Sequence, residues 1–184
     1  MPPGATPVHR LLRAPTPLFQ GQSNDCGPYA LAAAATSLLG TEVTPSETAR
    51  RLRLFRLPWL GATLPWGFVL AASGLGLTVR GRFLGRLEDL KRAVDEGRVA
   101  AVVVHPDDWP GVPWFALHYR LVVGYRDDAE IHGGGELYFA CSGTPTAVLP
   151  DGKPGNVAIS YARFRAQWHT YLTPRWYAGL SRRS

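Results

Sequence analysis

A chain of 184 residues is long enough for one domain with a sizeable core and too short for two comfortable ones. Its 46% hydrophobic and 18% charged residues are ordinary for a globular protein, and no apolar run approaches the roughly 18 residues of a membrane span. The net charge of +6 comes almost wholly from arginine, because lysine occurs only at positions 91 and 153. These basic residues scatter instead of forming one stripe, which argues against nucleic acid as a partner. Two cysteines exclude a disulfide framework and a Cys-x-x-Cys metal knuckle, leaving a Cys26–Cys141 bridge as the one pairing open.

Residues 1–16 are proline-rich, lack the apolar stretch of a secretory signal and read as a flexible N-terminal arm. The expected location is therefore cytoplasmic. Residues 17–184 read as a single domain. Its organising stretch is Gln20 to Gly40, where Asn24 and Asp25 are good caps and Pro28 suits a first helical turn. Ala30, Leu31, Ala34 and Leu38 follow at helical spacing, and Gly40 can end the helix in the left-handed conformation. Thr44-Pro45-Ser46-Glu47 is a capping box that starts a second helix through Ala49 and Leu52 towards Phe55. Its Arg50, Arg51, Arg53 and Arg56 read as a solvated face.

Leu64-Pro65-Trp66 opens a third helix that Gly74 or Gly76 stops. Leu77 to Val79 reads as a short strand, and Leu87 to Val94 as a helix ending near Gly97. The β-branched run Val99 to Val104 predicts a buried strand. A loop from Pro106 to Pro113 carries Asp107, Asp108 and Trp109. Leu117 to Tyr125 and Glu136 to Ala140 are two more strands, joined through a turn at Gly133 to Gly135. Ser160 caps a last short helix, and Tyr171-Leu172 is a candidate final strand. Helices first and strands afterwards predict an α+β domain, an N-terminal helical layer packed on a C-terminal antiparallel sheet.

The chemistry centres on Cys26. It falls at a helix N-terminus, where orphan N–H groups and the macrodipole favour a thiolate. Gln20, six residues upstream, offers an amide N–H for a developing oxyanion. Cysteine catalysis needs a partner to take and return the thiol proton. Among the histidines, His9, His132 and His169 lie in the arm, a Gly-rich turn and a post-helix segment. His105 and His118 both sit at strand ends, and spacing alone does not choose between them. No metal is expected: no two histidines are four apart, and neither Asp107-Asp108 nor Asp127-Asp128 has a Ca²⁺-loop pattern.

Gln20, Asp25-Cys26-Gly27-Pro28 with its Ala/Leu helix, His118-Tyr119-Arg120-Leu121-Val122-Val123-Gly124-Tyr125, and Ile159-Ser160 through Phe164 and Trp168 resemble the papain-like cysteine peptidases. The resemblance is closest to the bacterial domains related to leader peptidases of bacteriocin exporters, the peptidase-C-thirty-nine-like group, and it spans Pro17 to Trp168. It implies the papain-like fold, Cys26 as nucleophile and His118, in preference to His105, as its proton partner. Gln20 and the Cys26 backbone N–H would form the oxyanion hole, and the substrate would be a peptide, with no cofactor. The group usually carries Asp or Asn after the histidine strand to orient the imidazole. Here Cys141 and Ser142 occupy that stretch as candidate third members, with Asn156, Asp127 and Asp128 as alternatives. Trp66, Trp109 and Trp114 are candidate walls of the substrate groove. Two other functions fit the same residues: a papain-like binding domain that has lost turnover, which the missing carboxylate would explain, and a cysteine-dependent acyl transferase.

Overall fold

A computed structural model describes residues 7–57, 62–107, 109, 111–145 and 148–183. Helix α1 (Cys26–Leu39) is the axis of the helical layer. Leu31, Ala32, Ala34 and Ala35 have no exposed surface, so the helix is enclosed on most sides, and small alanines let its neighbours approach closely. It ends at Gly40, whose φ of 73° lets its N–H return to the Thr36 carbonyl at 3.0 Å. Helix α2 (Pro45–Leu52) begins as its capping sequence predicts, with Thr44 Oγ1 accepting the Glu47 N–H at 3.2 Å. A 3₁₀ turn at Arg53–Phe55 leads towards α3 (Pro65–Gly74).

The second layer is one seven-stranded antiparallel sheet. Strands β2 (Leu77–Arg82), β3 (Val99–Val104), β4 (His118–Asp127), β5 (Gly135–Cys141), β6 (Val157–Ser160) and β7 (Tyr177–Arg182) lie in the order β2-β7-β3-β4-β5-β6. Strand β1 (His9–Arg10) pairs with β4. Helix α4 (Leu87–Asp95) precedes β3, and α5 (Tyr161–Trp168) follows β6 with Ser160 as its cap. Every residue of β3 is buried, as its unbroken apolar run predicts. The expected α+β architecture is the one observed.

Two expectations need correction. Tyr171 and Leu172 are exposed, and the final strand is instead Tyr177–Arg182. Its Ala178 and Gly179 carry little β propensity, so only register with β2 and β3 reveals it. The expected loose arm is ordered from His9 onward: His9 and Arg10 pair with Tyr125 and Gly124, and the Leu11 N–H bonds to the Val123 carbonyl at 3.0 Å. Strand β4 thus uses one edge twice, pairing with β3 over His118 to Val122 and with β1 beyond it. Residue 124 must be glycine for that approach. A Cβ there would sit 2.6 Å from the His9 carbonyl oxygen and 2.8 Å from Pro154 Cγ.

Gly124→Ala therefore forces β1 off the sheet. The expected result is about 1–3 kcal/mol of lost stability in urea unfolding, with faster hydrogen exchange at the Leu11 amide. Unchanged stability and exchange would contradict the packing described.

Candidate active site

Cys26 is the first residue of α1 and only 7% exposed. Asp25 occupies the N-cap position, but its carboxylate makes no cap hydrogen bond and pairs with Arg56 of the segment following α2. The backbone N–H groups of Tyr119, on β4, and of Gly27 point at the sulfur. These donors favour the thiolate, yet burial dominates, and with the nearby Cys141 adding to it the thiol is raised from 9.0 to about 11. A helix N-terminus is worth about 0.3–1 kcal/mol to an anion, whereas a shift of that size corresponds to about 3 kcal/mol in the other direction. Against the thiolate that the helix terminus favours, desolvation is the larger effect and pushes the Cys26 thiol up.

His118 opens β4 and is 1% exposed. Its Nε2 lies 3.3 Å from the Sγ of Cys141, the last residue of β5. Burial first, and then the charge of Arg120, hold the imidazole well below its ordinary value of 6.5. Arg120 is itself fully buried, stands across the ladder from Cys141 and donates to Gln167 Oε1 of α5 at 3.1 Å. Gln167 donates in turn to Asp107, which also accepts from Arg163 at 3.2 Å. Asp108 lies outside the described residues.

The candidates for a third residue separate cleanly. Cys141 faces the ring, whereas the Ser142 hydroxyl donates to Gln20 Oε1 at 2.6 Å. Asn156 is engaged with the backbone of Cys141: its Oδ1 accepts the Cys141 N–H at 2.8 Å and its Nδ2 donates to the Cys141 carbonyl at 2.9 Å. Asp127 pairs with Lys91 and Tyr161, and Asp128 pairs with Arg126 and accepts the Glu130 N–H. The His118 contact is therefore made by a thiol in place of a carboxylate or amide.

Gln20 is held at both ends. Beside the Ser142 bond, its Nε2 donates to the Ser23 carbonyl at 2.6 Å and its backbone N–H to the Ser142 carbonyl at 2.9 Å. Trp109 packs on His118 with ring centroids 4.5 Å apart. Gly143 makes that possible, since a Cβ there would fall 2.1 Å from the indole. Trp66 and Trp114 are 57% and 79% exposed, and Trp114 meets only the edge of Phe115 among the ring contacts of described residues. His105 Nδ1 contacts the Ala116 carbonyl at 3.1 Å, His9 joins Tyr125 and Asp95, and His132 and His169 are exposed. Sequence reasoning missed the Gly143–Trp109 fit, the Asn156 brace and buried Arg120; only Arg120, a charge inside an apolar strand, left a signal.

Among the described residues no group of three His, Cys, Asp or Glu side chains is placed to hold a metal, and no helix is long and apolar enough to cross a membrane. Cavities of about 560 and 530 Å³ flank the C-terminal half of α1, away from Cys26.

No protein-family model and no curated protein matches the sequence. Solved structures do match the fold. The peptidase domain of Streptococcus ComA, a bi-functional ABC transporter involved in a quorum-sensing pathway, superposes with a TM-score of 0.62 at 19% identity, over 91% of this chain and 98% of that one. A protein described as a C39-like peptidase from Bacillus anthracis gives 0.67 at 14% identity, over 97% and 99%. A double glycine motif protease from an AMS/PCAT transporter, in complex with the leader peptide, gives 0.56 at 17% identity, over 96% of each chain.

A neutral, buried thiol reacts slowly with alkylating agents until base ionises it. With the Cys26 thiol raised to about 11, iodoacetamide modification should climb about tenfold per pH unit from pH 7 to pH 10 and level off near pH 11. Mass spectrometry of the Cys26 peptide reads this directly. A plateau already reached near pH 6 would mean that a charged partner ionises the sulfur.

Proposed function

With the fold of the C39 peptidase domains as premise, we propose that this chain is a cysteine peptidase or amide hydrolase acting on peptides, with Cys26 as nucleophile. The observation that carries this reading is the meeting of three elements at one point: the Cys26 sulfur faces the N–H of Tyr119, the residue next to His118, and the His118 ring faces Cys141. In this reading both partners rest neutral, so proton transfer accompanies attack. His118 takes the Cys26 proton as the sulfur bonds to the carbonyl carbon, and the oxyanion is met by the Gln20 amide and the Cys26 backbone N–H. His118 then protonates the departing amine as the C–N bond breaks. Water, deprotonated by the same ring, cleaves the thioester and returns the thiol. Cys141 accepts from Nε2 and keeps the other ring nitrogen for this traffic, the orienting part that a carboxylate takes in other triads.

Peptides with two glycines before the scissile bond are the proposed substrates. One structural neighbour, a double glycine motif protease in complex with the leader peptide, points this way. So does the burial of Cys26, since a substrate residue without Cβ most readily reaches a side chain whose residue is only 7% exposed. Trp109, lying on His118, is the proposed wall of the groove. The rival reading, a binding domain that keeps the fold without turnover, draws support from the raised thiol, the lowered imidazole and the thiol, in place of a carboxylate, that meets His118 Nε2 among the described residues.

The test is cleavage of a panel of Gly-Gly peptides followed by mass spectrometry. Wild type should cleave slowly, and Cys26→Ala should lose about 10³-fold or more. Cys141→Asp should cleave about tenfold faster than wild type, because a carboxylate at Nε2 raises the basicity of the ring. Tight peptide binding by calorimetry with no cleavage by either protein would establish the rival.

A further inference from the structure

We propose that Ser142 is a positioning residue that sets the Gln20 amide for its oxyanion role; this rests on the reading of Cys26 as nucleophile. An amide side chain presents an oxygen at one end and two N–H donors at the other, and a half-turn exchanges them. Only one orientation is useful beside a carbonyl under attack, because an oxygen turned towards an oxyanion would repel it. The surroundings of Gln20 fix which end is which. The Ser23 carbonyl can only accept, so the atom facing it at 2.6 Å must be the nitrogen. The oxygen end then receives the Ser142 hydroxyl at 2.6 Å. One N–H of the pair is committed to Ser23, and the second remains for the substrate oxygen.

Ser142 also holds the main chain of the same residue, its carbonyl accepting the Gln20 N–H at 2.9 Å. Backbone and side chain of Gln20 are thus tied to one residue, closing a ring that leaves the side chain little rotamer freedom. Ser142 is 6% exposed, so water competes poorly for these bonds. It directly follows Cys141, so a single short segment holds both the ring of His118 and the amide of Gln20. Loss of the hydroxyl leaves the amide held by the Ser23 carbonyl alone, with its oxygen end unrestrained, which weakens stabilisation of the tetrahedral state without touching the sulfur.

Two probes of Cys26 separate these effects. Iodoacetamide alkylates the sulfur without forming an oxyanion, whereas the aldehyde acetyl-Gly-glycinal forms a thiohemiacetal whose oxygen needs the donor. Ser142→Ala should weaken aldehyde binding about tenfold or more while the alkylation rate at a fixed pH stays within about twofold. Ser142→Thr, which keeps the hydroxyl, should restore binding. In a Gln20→Ala background, Ser142→Ala should cost nothing further, as it must if it acts through Gln20. An equal loss in both backgrounds, or alkylation and binding falling together, overturns the proposal in favour of a general packing role. Aldehyde binding by Ser142→Ala equal to wild type overturns it and leaves the peptidase reading standing. A wild-type protein that forms no aldehyde adduct overturns both.

Discussion

The site depends on how the end of β5 is held. Strand β6 pairs with β5 only as far as Phe139 opposite Val157, so among the described residues Cys141 has no ladder partner from β6. Asn156 supplies one from its side chain. Its carboxamide exchanges two hydrogen bonds with the Cys141 main chain, as a neighbouring strand would, while its own N–H bonds to the Phe139 carbonyl. A strand terminus that would otherwise fray is thereby fixed to within hydrogen-bond tolerance. From it project the thiol at His118, the hydroxyl at Gln20 and the bare Cα of Gly143 under Trp109.

The electrostatics follow from burial. Two N–H groups aimed at the Cys26 sulfur do not offset its removal from water, and the His118 ring loses its proton affinity for the same reason, with Arg120 adding to it. Arg120 in turn is tolerated because Gln167 meets its guanidinium and passes the polar chain outward to Asp107 and Arg163. The same chain fastens the loop that carries Trp109 to α5. Charge, loop position and ring cover are coupled through these few side chains.

Much of the architecture was legible from periodicity and caps. The Ala/Leu helix after Cys26, the Thr44 box and the Val99–Val104 run each produce the element their residues predict, because local preference and tertiary burial agree there. Strands β1 and β6 were not legible, being two and four residues long and too short to show a period. Strand β7 was missed because Ala178 and Gly179 are made strand by their neighbours. In the site, the positions of Cys26, Gln20 and His118 follow from motif and resemblance. Cys141 falls where the resemblance puts the third residue and Ser142 one position on, but the bond from Ser142 to Gln20 is not legible, because Ser142 lies just past the end of β5 and only the fold says what it meets. The direction in which the Cys26 thiol is pushed is hidden for a related reason: a helix terminus is visible in sequence, but the depth at which it is buried is not.

Strand order also bears on biosynthesis. Strand β7, from residues 177–182, is inserted between β2 and β3, and β2 reaches the sheet through it. As the nascent chain leaves the ribosome, every other element emerges while that central slot is vacant. Until β7 docks, the facing edges of β2 and β3 lack the ladder partners that it supplies. Closure of this sheet therefore waits on the last of its strands in chain order, and loss of β7 would detach β2 from the rest of the sheet.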